Sequence, residues 1–171
     1  MPMSWYILLI AAVAVERVVE LIVSNRNLAW SRARGGVEFG VTHYPTMVIL
    51  HTGFLAGCLV EVIALHRPFV PALGWPMLAL AVGTQVLRWW CITTLGHQWN
   101  TRVVVIPNAP RVTGGPYRFF PHPNYVAVVV EGIALPLAHN AWITALAFTS
   151  LNAALLRTRI GVENSALASL K

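Results

Sequence analysis

The segment 96–125, reading GHQWNTRVVVIPNAPRVTGGPYRFFPHPNY, concentrates side chains and backbone groups able to hold a ligand. Pro123 forces His122 out of the helical region and leaves backbone groups open for hydrogen bonding, while His122 and Tyr125 add side-chain partners beside them. Further on, Arg159 and Glu163 stand four apart in a helical tail and so share one face, where they offer a cation and a carboxylate together. Taken singly, the first motif reads better as a proline-rich connector and the second as a surface salt bridge. In combination they read as a binding site.

A second set of polar residues lies inside apolar blocks: Glu16, Arg17 and Glu20, then His51 and Glu61, then Gln85 and Arg88. Such residues are costly in lipid and face either the interior of a bundle or a wet cavity. Glu16 and Glu20 are one helical turn apart, with Arg17 or Arg88 able to neutralise them, so the set is either a structural charge cluster or the wall of a functional cavity. His51 by itself reads as a hydrogen-bonded core residue. Cys58 and Cys91 have no partner at metal-ligand or redox spacing, so we expect neither a metal site nor a disulfide and read both as packing residues.

The elements that must position these groups follow from composition. The chain has 171 residues, 57% hydrophobic and 11% charged, well below the quarter charged that is usual for soluble domains, and this places it among membrane proteins. Three apolar blocks, 5–23, 46–65 and 73–95, reach the roughly 20 residues a spanning helix needs. Two shorter blocks, 125–137 and 141–156, are separated by a turn starting at Pro136 and read as a helical hairpin. The first block lacks the flanks of a signal peptide and reads as an anchor. The fold class is therefore an all-α integral membrane protein of about five transmembrane helices forming one domain over 1–171. A three-span bundle (1–95) precedes a cytoplasmic cofactor loop (96–124), and the hairpin and tail follow (125–171). Within the loop, 101–106 is β-branched without a breaker and predicts a short strand.

Eleven of the twelve basic residues are Arg, and they are scattered between the apolar blocks rather than gathered in a run, which argues for a topology signal and against nucleic acid as a partner. Arg26, Arg32 and Arg34, then Arg102, Arg111 and Arg118, then Arg157, Arg159 and Lys171 all fall on one side of a five-span alternation, against Arg67 alone on the other. The loop and C-terminus are thus expected in the cytoplasm and the N-terminus outside, in a bacterial inner membrane.

Three runs, Arg111-Val-Thr-Gly-Gly-Pro-Tyr-Arg118, His122-Pro-Asn-Tyr125 and Arg159-Ile-Gly-Val-Glu163 through Leu167, resemble in order and spacing the C-terminal signature of the isoprenylcysteine carboxyl methyltransferase family and related phospholipid methyltransferases. The family pattern is approximately L-V-T-x-G-x-Y-R, R-H-P-x-Y and R-I-x-x-E-E-x-x-L. Two positions depart from it: Pro121 stands where the family has Arg, and Asn164 where it has a second Glu. The resemblance implies S-adenosylmethionine as cofactor, held by Val112, Tyr117, His122, Pro123, Tyr125, Arg159 and Glu163, with no metal. The stretch 96–106 and Glu131 are similar to bacterial members that methylate long-chain polyketides. That implies O-methylation of a lipophilic acceptor such as a pyrone or resorcinol, with a prenylcysteine carboxylate as the alternative.

Methyl transfer is an in-line displacement, so the main task is holding the acceptor oxygen about 3–3.5 Å from the methyl. Glu131 is the candidate base for a phenol or enol, and Arg118 the candidate to orient an anionic acceptor. The acceptor should enter from the bilayer along the first two spans, and the soluble donor from the cytoplasmic loops, with membrane lipid as the other partner. A non-enzymatic membrane protein and a sterol-reductase-like protein using a nicotinamide cofactor are the rival readings.

Overall fold

The structure is a computed structural model that describes residues 3–169; Lys171, counted in the expected cytoplasmic tail, lies outside the described residues. Among the described residues there are five α-helices: α1 (Ser4–Arg32), α2 (Tyr44–Ala64), α3 (Pro71–Leu95), α4 (Pro123–Leu137) and α5 (Trp142–Ser169). A small antiparallel ribbon joins β1 (Val37–Phe39) to β2 (Val103–Val105), with Glu38 opposite Val104. The expected strand at 101–106 is thus present. Its partner β1 carried no period long enough to be seen in sequence.

α2 with the turn before it, and α3 with the turn after it, are long and apolar enough to cross a membrane, and α4 is a shorter apolar helix. The helices differ from the expected blocks mainly in length. α1 continues past residue 23 because no proline or glycine interrupts 24–32, so Arg26 and Arg32 lie on the helix rather than in a loop. α5 likewise runs on through Arg157 and Glu163, so the tail is a continuation of the second hairpin helix.

α1 shows why one helix can serve both a core and a site. Its buried positions include Tyr6, Ile10, Val13, Glu20, Ser24, Asn27 and Ser31, a stripe spaced by three, four or seven residues along one face. The first half of the stripe is apolar and joins the core with Phe54, Cys58, Leu135 and Phe148, where Tyr6 also donates its hydroxyl to the Leu135 carbonyl at 3.1 Å. The second half is polar and pins the loop. Asn27 donates to the Gly96 and Trp99 carbonyls at 3.1 and 2.7 Å, and the Ser24 hydroxyl lies 2.8 Å from the side-chain oxygens of both Asn100 and Thr101.

The α4–α5 hairpin closes as the sequence suggested. Asn140 takes φ 60° and the Ala141 amide donates back to the Pro136 carbonyl at 2.9 Å, a helix-ending turn with a left-handed residue. Gly132 lets the two helices approach, since a Cβ there would stand 2.5 Å from the Phe148 ring. The start of α5 is fixed by Glu61 of α2. Its carboxylate accepts from the Ile143 and Thr144 amides at 3.1 and 2.7 Å and from the Thr144 hydroxyl at 2.8 Å, with Arg67 2.9 Å away. An anion on the exposed amides of a helix N-terminus satisfies donors that have no partner within the helix.

Candidate cofactor and acceptor cavity

A cavity of about 670 Å³ lies between α1, α2 and α5, roofed by the loop at 98–105 and by the start of α4. Its size is that of a small-molecule site, and its walls are mostly apolar with polar side chains set among them.

Pro123 is buried at the first position of α4, where its missing amide costs nothing, and it turns the chain so that His122, Asn124 and Tyr125 line the cavity. Across from them, the inward stripe of α5 carries Asn152, Arg159 and Glu163 into the same wall. The two sides meet directly. Tyr125 donates its hydroxyl to Glu163 Oε2 at 2.6 Å, His122 Nδ1 lies 3.5 Å from Glu163 Oε1, and the His122 and Tyr125 rings stack at 5.5 Å. Arg159 reaches past them to the Thr101 carbonyl at 2.7 Å, with its guanidinium 5.9 Å from the Tyr125 ring centre.

Tyr117 also lines the cavity, from the short helical turn Gly115–Arg118. Burial and then the neighbouring Cys91 thiol push its hydroxyl above the ordinary tyrosine value, so it is a neutral hydrogen-bonding group. Gly115 makes that turn possible. Its φ is 53°, and a Cβ would fall 2.4 Å from the Thr94 hydroxyl and 3.1 Å from the Trp90 indole nitrogen.

The structure therefore brings together Tyr117, His122, Tyr125, Arg159 and Glu163, with Pro123 buried behind them as the residue that sets the turn. Val112 and Arg118 are not among the residues lining the cavity; Arg118 is exposed, its guanidinium 4.9 Å from the Phe119 ring. Glu131 is also absent from the lining. Its Oε1 accepts from Gln85 at 2.9 Å and Arg17 at 3.4 Å, its Oε2 accepts from Arg88, and it borders a separate void of about 20 Å³. The charges that the sequence places within apolar blocks take different roles: Arg17, Glu20 and Arg88 line the main cavity, Glu61 holds a helix end, and Glu16 accepts from the Trp89 indole. His51 is hydrogen-bonded to the Met47 carbonyl at 2.9 Å, as expected of it, and lines the cavity as well.

Asn100, Asn124 and Asn152 line the cavity too, and none of them was a candidate from sequence. Asn152 sat in plain view as a polar residue inside an apolar block, which is a signal for an inward position. Its Oδ1, the Asn124 Oδ1 and the Arg159 Nε are buried without a hydrogen-bond partner among the described residues, and all three residues line the same cavity. Buried polar atoms are rarely left unpaired. An acceptor pair, a guanidinium, a carboxylate and stacked rings fit the amino-acid end, ribose and base of S-adenosylmethionine.

The His-Pro and Arg-Glu motifs thus meet at a cavity enclosed within a bundle of apolar helices. The chain belongs to the isoprenylcysteine carboxyl methyltransferase family, whose pattern matches residues 77–169, over half the chain. It is similar to the uncharacterized protein YpbQ of Bacillus subtilis, with 36% identity over 166 residues covering 96% of each chain. An uncharacterized protein of Haemophilus influenzae is 24% identical over 163 residues, covering 94% of this chain and 93% of that one.

Proposed function

We propose that the protein is an integral membrane O-methyltransferase that uses S-adenosylmethionine to methylate a lipophilic acceptor. The observation that carries this reading is the cavity's mixed lining. Tyr117, His122, Tyr125, Arg159 and Glu163 share it with Ile7, Ala11 and Ala14 of α1 and Leu55, Ala56 and Leu59 of α2. S-adenosylmethionine, when bound, supplies an electrophilic methyl on a sulfonium. The chain's part is to bind and orient: Arg159 suits the carboxylate of the amino-acid end, Glu163 the ribose diol or ammonium, and Tyr125 fixes Glu163 in place. The apolar passage suits an alkyl chain entering from the bilayer. We assign the acceptor to the long-chain pyrone and resorcinol class, with the prenylcysteine carboxylate as the second reading, favoured by the family's name.

In this reading all five helices lie in the membrane. Large apolar residues are exposed along α1 (Leu8, Val15), α2 (Ile49, Val60), α3 (Val86) and α5 (Leu146, Leu151), as lipid-facing surfaces require. The arginine distribution then puts the loop and the end of α5 in the cytoplasm of a bacterial inner membrane. A cysteine introduced at the exposed Ala168 should be labelled from the cytoplasmic side only.

Transfer of radiolabelled methyl to an alkylpyrone, an alkylresorcinol and N-acetyl-farnesylcysteine tests the assignment. Labelling of the first two is expected. Labelling of the prenylcysteine alone replaces the acceptor class, and labelling of none removes the activity.

A further inference from the structure

Five ionisable side chains meet inside the bundle where α1, α3 and α4 converge. Arg17 lies 2.8 Å from Glu20, 3.4 Å from Glu131 and 3.6 Å from Glu16. Arg88 pairs with Glu131, and its Nε stands 3.5 Å from Glu20 Oε1. Gln85 accepts from Arg17 at 2.8 Å and donates to Glu131, and Glu16 accepts from the Trp89 indole. With every group ionised, three carboxylates face two guanidiniums. One negative charge is left in excess, and an uncompensated charge in a poorly solvated site is expensive. A cation or a proton must meet it.

The three carboxylates are not equivalent. Both oxygens of Glu131 are taken by Arg88, Arg17 and Gln85, and Glu131 does not line the cavity. Glu16 is engaged by Trp89 and is also absent from the lining. Glu20 is 3% exposed and lines the cavity. Its Oε2 accepts from Arg17, while its Oε1 accepts no hydrogen bond among the described residues. His51 of α2 is another titratable group that lines the cavity near Arg17 and Arg88, and it is hydrogen-bonded to the Met47 carbonyl.

We propose that Glu20 is the proton acceptor for a neutral hydroxyl acceptor, an inference that rests on the methyltransferase reading. The hydroxyl proton passes to Glu20 while the O–H electron pair stays on oxygen. That oxygen forms a bond to the methyl carbon, and the carbon–sulfur bond breaks with its pair retained by sulfur. The charge balance explains the excess carboxylate. Before transfer the negative cluster matches the positive sulfonium; afterwards the cluster is neutral by one proton and the thioether is neutral too. No step leaves a net charge in the low-dielectric site. Glu20 lies outside the segment that matches the family, so the proton acceptor is a contribution of the N-terminal half.

The test compares a neutral alkylphenol with a nitro-substituted analogue already ionised at the assay pH, in lipid nanodiscs. Glu20→Gln should depress turnover of the neutral phenol about 10² to 10⁴-fold, the usual range for a general base. Turnover of the ionised analogue should fall by less than about threefold, in line with a role confined to the proton. Glu20→Asp should recover part of the loss. A readout without turnover is the absorbance of a nitrophenol bound beside sinefungin, a stable cationic analogue of the cofactor. The ionised carboxylate of wild-type protein should disfavour a phenolate beside it, whereas Glu20→Gln, whose neutral amide resembles the protonated acceptor, should hold the phenolate down to a lower pH. Equal losses with both acceptors, or an acceptor-dependent loss in His51→Asn and none in Glu20→Gln, overturns the proposal. A wild-type protein inactive on both phenols overturns this inference, and one that also leaves N-acetyl-farnesylcysteine unmethylated overturns the methyltransferase reading with it.

Discussion

Tyr125 and Glu163, 38 residues apart, are joined by a hydrogen bond of 2.6 Å from the phenol to the carboxylate, and that bond ties the first turn of α4 to the last third of α5. It makes one wall out of two motifs that are far apart in sequence. A hydrogen bond to a charged group contributes about 1.5–3 kcal/mol, so its loss should be visible in binding. Glu163→Gln should weaken S-adenosylhomocysteine binding on the order of tenfold or more. Glu38→Gln should leave that affinity within about twofold, because Glu38 serves the ribbon between Arg32 and Arg102 at 3.0 and 2.7 Å. Titration calorimetry on the two variants distinguishes them.

The same Glu38 gives a pH prediction. Burial works to raise its carboxyl, but the hydrogen bond and charge of Arg102, then those of Arg32, hold it below the ordinary value of 4.5. A carboxyl with a depressed folded-state value contributes stability that is fully present above 4.5 and is lost as the pH falls through the folded value. Wild-type Tm should therefore drop more steeply on the acid side of 4.5 than that of Glu38→Gln. Parallel acid limbs in the two melting series would remove the ribbon's ion pairs from the account.

Glu61 should be a stability residue rather than a site residue. It satisfies two amides and a hydroxyl at the start of α5 and does not line the cavity. Glu61→Gln keeps the shape but removes the charge that faces the helix N-terminus and Arg67, which should cost about 1–3 kcal/mol. The expected result is a lowered Tm with S-adenosylhomocysteine affinity little changed in the folded fraction.

Gly115→Ala should damage the turn that carries Tyr117. A side chain at φ 53° costs roughly 1–2 kcal/mol, and the added Cβ also meets the Thr94 hydroxyl. Thermal melting should show the loss, and ligand affinity should fall with it because Tyr117 is displaced.

The contrast among these residues explains what could be seen in sequence. The five helices follow from apolar blocks and from Pro123, Pro136 and Asn140, whose backbone preferences act locally. The turn at Pro123 and the shared face of Arg159 and Glu163 were legible for the same reason, whereas joining the two motifs into one site rested on the resemblance to the family's signature. The roles of the carboxylates within the bundle were not legible. Glu16, Glu20, Glu61 and Glu131 look alike along the chain, and what separates them is which helix end, guanidinium or void each one meets. Arg118 and Val112 sit within the signature run, yet the turn forced by Gly115 directs Tyr117 to the cavity and leaves Arg118 at the surface.

The account's central claim is that the cavity walled by His122, Tyr125, Arg159 and Glu163 binds S-adenosylmethionine, and titration of S-adenosylhomocysteine into lipid-embedded wild-type protein tests it most directly. The account predicts saturable binding at one site per chain, with a Tm that rises with ligand occupancy and a marked loss of affinity in Arg159→Ala. Folded protein that binds no S-adenosylhomocysteine, or that prefers a nicotinamide dinucleotide, would contradict it.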